Sequence, residues 1–193
     1  MSINRKTSSV MLIAVAALAF AMPLLQAQVP VADGARLLRT ALIVEDVDRS
    51  LRFYALLGYA PESEMGGSRD PAKTPFPLNA GATKWRLVIL ASAASPGARI
   101  GLVSFDDPRP AASRPARRKL GLGYMVFVFD VADARRTHEL LKTAGADIVE
   151  TPQVYQSKQL DDRGRPMEGH VFHVFDPDGN LIELLETPRA VER

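Results

Sequence analysis

Two stretches of the chain show the same succession of hydrophobic patterns. In the first, 37–44 is rich in apolar and β-branched residues, which predicts a strand. Apolar residues then recur at helical spacing over 47–57 and Gly58 follows as a C-cap, so a helix is predicted there. Further strands are predicted at 60–65, 85–91 and 99–105. The predicted order is β-α-β-β-β.

The same order returns in the second half of the chain. A strand is predicted at 122–129, followed by a helix that Asp130 or Asp133 caps and Gly145 ends. Further strands are predicted at 147–154, 171–175 and 181–186. Proline and glycine in the turn 176–179 favour a hairpin between the last two. A duplicated unit of this kind predicts two modules with one site between them.

Segments rich in glycine, proline and polar residues separate these elements. We predict loops at 66–83 and 155–169, and loops above a rigid sheet often contribute to binding. A basic, proline-rich linker is predicted at 107–119, because proline removes the hydrogen-bond donor that a strand needs. The predicted modules are therefore 36–106 and 120–187.

The N-terminal segment has the features of a secretory signal peptide. Arg5 and Lys6 precede an apolar run over 10–25, and a cut after Ala27 would place Gln28 near the mature N-terminus. The run is shorter than the roughly 20 residues that cross a bilayer. We predict a signal peptide at 1–27 and a periplasmic or secreted protein. An uncleaved membrane anchor is the alternative, and membrane contact is expected only in that case.

Composition excludes several classes of chemistry. The chain has no cysteine, so disulfides, thiolate catalysis and cysteine-ligated zinc are excluded. The formal net charge is only +2, and no basic stripe interleaved with aromatic residues is present. Nucleic acid is therefore not an expected partner.

Two motifs give these patterns a family resemblance. They are EDVDRS at 45–50 and FDPDGN at 175–180, each in the corresponding place of its module. Over about 36–187 the chain resembles the vicinal oxygen chelate superfamily, which includes glyoxalase I, extradiol dioxygenases and bleomycin-resistance proteins. The resemblance implies an α+β fold in which two tandem βαβββ modules form a curved mixed sheet around a shared cavity.

The resemblance also implies where a metal would be held in metal-dependent members. The ligand positions are a histidine seven residues before the aspartate that opens each helix and a glutamate on each last strand. Here they are occupied by Arg39, Gly123, Gly101 and Glu183. Arginine has no lone pair to donate and glycine has no side chain, so no metal site and no cofactor are predicted. A divalent metal held by Glu183 and a histidine is the alternative.

The same positions predict a ligand cavity. Its expected lining residues are Arg39, Trp85, Gly101, Gly123, Met125, Phe127 and Glu183. Glu183 is also the candidate catalytic base. Arg39 either pairs with Glu183 or holds a ligand carboxylate by two parallel hydrogen bonds.

Three functional hypotheses follow. The first is an exported protein that binds a small organic molecule, anionic or neutral, without the usual metal. The second is an enzyme of the same superfamily, a lyase, isomerase or dioxygenase, that uses Glu183 in a non-standard site. The third is a subunit whose sheet edges serve assembly, and a homodimer is a further alternative. Whether the protein is an enzyme stays open at this point.

Overall fold

Two mixed β-sheets, each with one helix, form the part of the chain that the structure describes. This computed structural model describes residues 36–73, 76–78, 80–112, 119–161 and 163–188. Leu37–Arg193 form one compact unit. The predicted signal peptide lies outside the described residues. Within the described ranges, no helix is long and apolar enough to cross a membrane.

The first module has the predicted element order. Its elements are β1 (Thr40–Ile43), α1 (Val47–Leu56), β2 (Ala60–Ser68), β3 (Lys84–Ala91) and β4 (Arg99–Asp106). The strands lie in the order β1-β4-β3-β2, with β1 parallel to β4 and the other pairs antiparallel. The parallel pair is what a helical crossover between β1 and the rest of the sheet produces.

The second module repeats this plan with one extra strand. Its elements are β5 (Val126–Asp130), α2 (Ala134–Thr143), β6 (Asp147–Ile148), β7 (Gln153–Leu160), β8 (Pro166–Phe175) and β9 (Leu181–Glu186). The strand order is β5-β9-β8-β6, and β7 also pairs with β8. The α+β class and the two modules are thus confirmed.

The loop predicted at 155–169 is wrong, because most of it is the β7–β8 hairpin. The strand predicted at 147–154 is likewise divided between β6 and β7. Most residues of β7 are exposed, so this strand has no buried face and lacks the apolar alternation that sequence patterns detect. Backbone pairing with β8 holds it instead.

Aspartate side chains cap both helices. Asp46 Oδ1 accepts a hydrogen bond from the Arg49 amide at 3.0 Å, and Asp133 Oδ1 accepts one from the Arg136 amide at 2.9 Å. Of the two candidates for α2, Asp133 is therefore the cap. Asp130 instead accepts a hydrogen bond from the Thr187 amide.

One hydrophobic cluster joins the two modules. From the first module it takes Tyr54 and Leu102, and from the second Phe172 and Leu184, all fully buried. Side chains alternate along each strand, so one face of each sheet is used for this cluster and the other is left for a site.

Candidate functional site

Arg39 and Gly101 lie side by side on the face of the first sheet that points away from the core. A Cβ built on Gly101 would lie 3.4 Å from Arg39 Cδ and 3.2 Å from Leu87 Cδ1. The stem of Arg39 therefore covers the space that a side chain at position 101 would need. Arg39, which immediately precedes β1, and Gly101 of β4 come together as expected.

The Arg39 guanidinium is exposed. It forms no hydrogen bond or ion pair within the described part of the chain, and Glu183 contacts a histidine instead. Of the two roles left open by the sequence, pairing with Glu183 does not occur. Arg39 is available to an anion, and its role as a ligand-binding residue stays a prediction.

Glu183 is part of a row of three ionisable side chains in the second module. His173 Nε2 lies 3.3 Å from Glu183 Oε2, and His173 Nδ1 lies 2.6 Å from Glu150 Oε1. The same Glu150 oxygen also accepts the His173 amide at 2.8 Å. All three side chains are about 30% exposed. The imidazole is thus held between two carboxylates.

Glu150 was missed by the sequence analysis. It follows the two-residue strand β6, outside any motif, and its contact with His173 depends on the pairing of β6 with β8. The spacing of a glutamate and a histidine 23 positions apart carries no signal of that pairing.

A mostly apolar cavity adjoins this row. Its volume is about 360 Å³, and its lining residues are Leu120, Val149, His173, Phe175 and Leu181. The strand register pairs Phe175 with Leu181 and His173 with Glu183, so these four share one face of the sheet. Glu183 therefore lies beside the cavity, next to its polar wall. A mostly apolar pocket with few polar groups is typical of small-molecule sites.

Three predicted lining residues are placed differently from expectation. Phe127 is paired with the buried Ile182 and packs against the core, so its predicted position on the face of Glu183 is wrong. Gly123 lies in a turn with φ 86°, and Met125 precedes β5 and is exposed, so neither lies on a strand as predicted. The strand starts at Val126, four residues later than its apolar run indicated.

The corrected register also moves one ligand position. Because Asp133 caps α2, the residue seven positions before the cap is Val126, on the same face as Val128, the register partner of Glu183. The four positions that the resemblance implies as metal ligands then hold Arg39, Gly101, Val126 and Glu183. A cation, a glycine and an aliphatic side chain supply no electron pair, so this set does not fit a metal.

Trp85 is half-buried and borders a second, charged pocket of about 240 Å³. That pocket is lined by residues 45–47, 84–86, 104, 106 and 109. Arg86 is already paired with Asp48 at 2.9 Å and Glu64 at 2.8 Å. The predicted part of Trp85 in ligand binding stays a prediction.

The two family motifs contact one another. Asp178 Oδ1 accepts hydrogen bonds from the Glu45 amide at 2.8 Å and Arg49 Nη2 at 3.1 Å, and its Oδ2 accepts one from Ser50 Oγ at 3.0 Å. Tyr54 donates to Asp176 Oδ2 at 3.0 Å. These motifs therefore join the modules and lie outside the candidate site.

The comparisons with known proteins agree with this architecture. The sequence model of the Glyoxalase/Bleomycin resistance protein/Dioxygenase superfamily matches residues 36–184. The chain belongs to this superfamily. A comparison with functionally curated proteins gave no significant match.

Solved structures share the fold at low identity. A glyoxalase family protein from Bacillus cereus is 20% identical, with a TM-score of 0.63, over 80% of this chain and 95% of that one. Glyoxalase I from Zea mays is 18% identical, with a TM-score of 0.51, over 80% of this chain and 46% of the maize chain. At this identity the likeness concerns the fold alone.

Proposed function

We propose that the protein binds a small organic molecule on the core-distal face of its second sheet, without the metal that metal-dependent members of the superfamily use. The observation that supports this most directly is the cavity of about 360 Å³ beside the Glu150–His173–Glu183 row. Four of its five lining residues are apolar. Burial of an apolar ligand there contributes roughly 25 cal/mol per Å² of area removed from water.

Metal independence is supported by the chemistry of the ligand positions. Arg39, Gly101 and Val126 offer no donor, and a single glutamate does not satisfy a zinc ion. Arg39 has no ion-pair partner among the described residues and lies on the first sheet, so its predicted role in holding an anionic group is a proposal separate from this cavity.

An enzyme is the second candidate, and the contact between His173 and Glu183 favours it. A carboxylate hydrogen-bonded to an imidazole is a common acid–base pair. In this version Glu183 is the catalytic residue and the reaction is a lyase, isomerase or dioxygenase reaction of the superfamily type.

The test is a fragment screen by NMR on the protein loaded in turn with Zn²⁺, Fe²⁺, Mn²⁺ and Ni²⁺ and then dialysed. We expect fragments to bind the metal-free protein. Val149→Trp, which fills the cavity, should weaken the affinity of these fragments at least tenfold. Val154→Trp is the matched control, because Val154 is exposed on β7 and does not line the cavity. Retention of one metal per chain would overturn the metal-free proposal, and binding that Val149→Trp leaves intact would overturn the proposed cavity.

Export is proposed from segment 1–27 alone. It predicts a mature chain that begins near Gln28 and is recovered outside the cytoplasm. The mass of the protein isolated from the cell tests this, and an intact Met1 on all of it would contradict export.

A further inference from the structure

The hydrogen bonds of the Glu150–His173–Glu183 row leave two carboxylate oxygens without a partner among the described residues, Glu150 Oε2 and Glu183 Oε1. Both ring nitrogens of His173 face carboxylate oxygens, Nδ1 toward Glu150 and Nε2 toward Glu183. Glu183 uses Oε2 for this contact. Its Oε1 has no hydrogen-bond partner among the residues that the structure describes, and its side chain is 31% exposed. Of these two, Glu183 Oε1 belongs to a side chain on the same sheet face as the lining residues Phe175 and Leu181, so we take it as the acceptor for a ligand.

Glu150 keeps this arrangement in place. Its Oε1 accepts both the backbone amide and the ring Nδ1 of His173, which fixes the ring plane and directs Nε2 to Glu183. Glu150 is thus a positioning residue, since it acts on the cavity through His173.

The polar groups at this end of the cavity favour hydrogen-bond donors. Two carboxylates face one imidazole, and the lining contains no lysine or arginine within the described ranges. Lys119, next to the lining residue Leu120, is exposed. A ligand carboxylate beside His173 would add a negative charge next to the two carboxylates that already contact this ring, which is unfavourable. A ligand ammonium or hydroxyl group would instead donate to Glu183.

We propose that this cavity selects organic molecules that have an apolar body and a hydrogen-bond donor, with a protonated amine preferred over a hydroxyl and both preferred over a carboxylate. This rests on the proposed small-molecule function of the same cavity. Size allows it, since an apolar cavity of about 150 Å³ already holds benzene. A benzyl group therefore fits the volume of about 360 Å³.

Three probes with one common body test the proposal: benzylamine, benzyl alcohol and benzoate. Their dissociation constants are measured at neutral pH by NMR titration of the methyl signals of Val149 and Leu181. We expect benzylamine to bind at least tenfold more tightly than benzoate. Glu183→Gln should remove most of this difference, because the amide keeps the size of the side chain and loses its charge.

Glu168→Gln is the matched control. Glu168 lies on β8 like His173, contacts Gln156 and does not line the cavity, so its change should leave all three affinities unaltered. Glu150→Gln adds a second readout, the ¹⁵N signals of the His173 ring. A substitution that only affected stability would leave these signals unchanged. We expect these signals to change and the amine preference to fall.

The outcomes separate the two proposals. Tighter binding of benzoate than of benzylamine, or a preference that Glu183→Gln leaves intact, overturns the donor selectivity and leaves the small-molecule cavity standing. Probe-induced shifts of the Leu181 methyl signals that Val149→Trp does not reduce, or the absence of binding by all three probes, overturn both proposals.

Discussion

Two buried side chains, Tyr54 and Asp176, form the polar centre of the contact between the modules. The phenol donates to Asp176 Oδ2, and Asn180 Nδ2 donates to the same oxygen at 2.8 Å. Asp176 Oδ1 accepts the amides of Asp178 and Asn180. Burial raises the pKa of Tyr54 far above its ordinary value, so the phenol stays a proton donor at any physiological pH.

Tyr54→Phe removes one of these hydrogen bonds without creating a cavity. We expect the free energy of unfolding to fall by about 1–3 kcal/mol, as for other buried donors removed from a polar partner. Urea unfolding measures it. Tyr155→Phe is the control, because its hydroxyl makes only a 3.4 Å contact with the Glu186 carbonyl, and its loss should have a smaller effect. Equal losses in the two variants would contradict the role of the Tyr54–Asp176 bond.

Asp176 also has a predictable effect on pH dependence. Burial raises its pKa above the ordinary 3.8, although the hydrogen bonds from Asn180 and Tyr54 lower it. Between 3.8 and the raised value the folded chain keeps a proton that the unfolded chain has released. The contribution of this group to the free energy of unfolding therefore decreases as the pH rises through that window. A ¹³C titration of the carboxyl should show the raised pKa, and Tyr54→Phe should move it further upward; a pKa at or below 3.8 would contradict this account.

At the residue scale, contacts were predicted correctly where a motif fixed the strand register. Where no motif fixed the register, the predicted contacts were wrong or absent. Arg39 and Gly101 meet as expected, because β1 and β4 follow the family spacing. Phe127 was assigned to the wrong face, since the apolar run before β5 hides where the strand begins. Glu150 had no detectable signal at all.

Among the elements, the turn between β8 and β9 stabilises the start of α1. Asp178 places a carboxylate, 11% exposed, against the Glu45 amide and Ser50 hydroxyl at the N-terminal end of this helix. A negative charge at that end is favoured by the helix dipole. The FDPDGN motif is therefore both a turn signal within its module and a contact that holds the N-terminal end of the helix of the other module, next to its cap Asp46.

Gly169 allows the β7–β8 hairpin to lie close to β9. A Cβ at this position would be 2.5 Å from the Glu186 carbonyl oxygen and from a ring carbon of Tyr155. Gly169→Ala should therefore destabilise the protein by about 1–3 kcal/mol, the usual cost of forcing atoms into packed space. Thermal or urea unfolding measures it. Gly81→Ala is the control, since a Cβ there meets nothing within 4 Å, and a similar loss in both variants would contradict the packing account.

Element existence was easier to predict than element limits. Helices α1 and α2 and strands β3, β4 and β9 fall close to the predicted ranges, because each has a clear apolar period or a capping residue. The polar strand β7 was missed, since its partner is β8 and its side chains are mostly exposed. The strand structure of β7 depends on its hydrogen bonds to β8, and the sequence of β7 alone does not indicate it.

For the molecule as a whole, one core predicts one unfolding transition. Buried side chains of both modules belong to the same cluster, and Tyr59 and Phe129 meet edge-on across the modules at 5.7 Å. Neither module buries its apolar face alone. The fluorescence of Trp85, the single tryptophan and a residue of the first module, should therefore change at the same urea concentration as the NMR signals of His173 in the second. Two separate midpoints would contradict a shared core.

The contact between the β8–β9 turn and α1 has a consequence for folding during synthesis. During synthesis α1 leaves the ribosome before β8 and β9. The contacts of the first module with Phe172, Ile182 and Asp178 can therefore form only after most of the chain has been made. Such a chain closes late in synthesis.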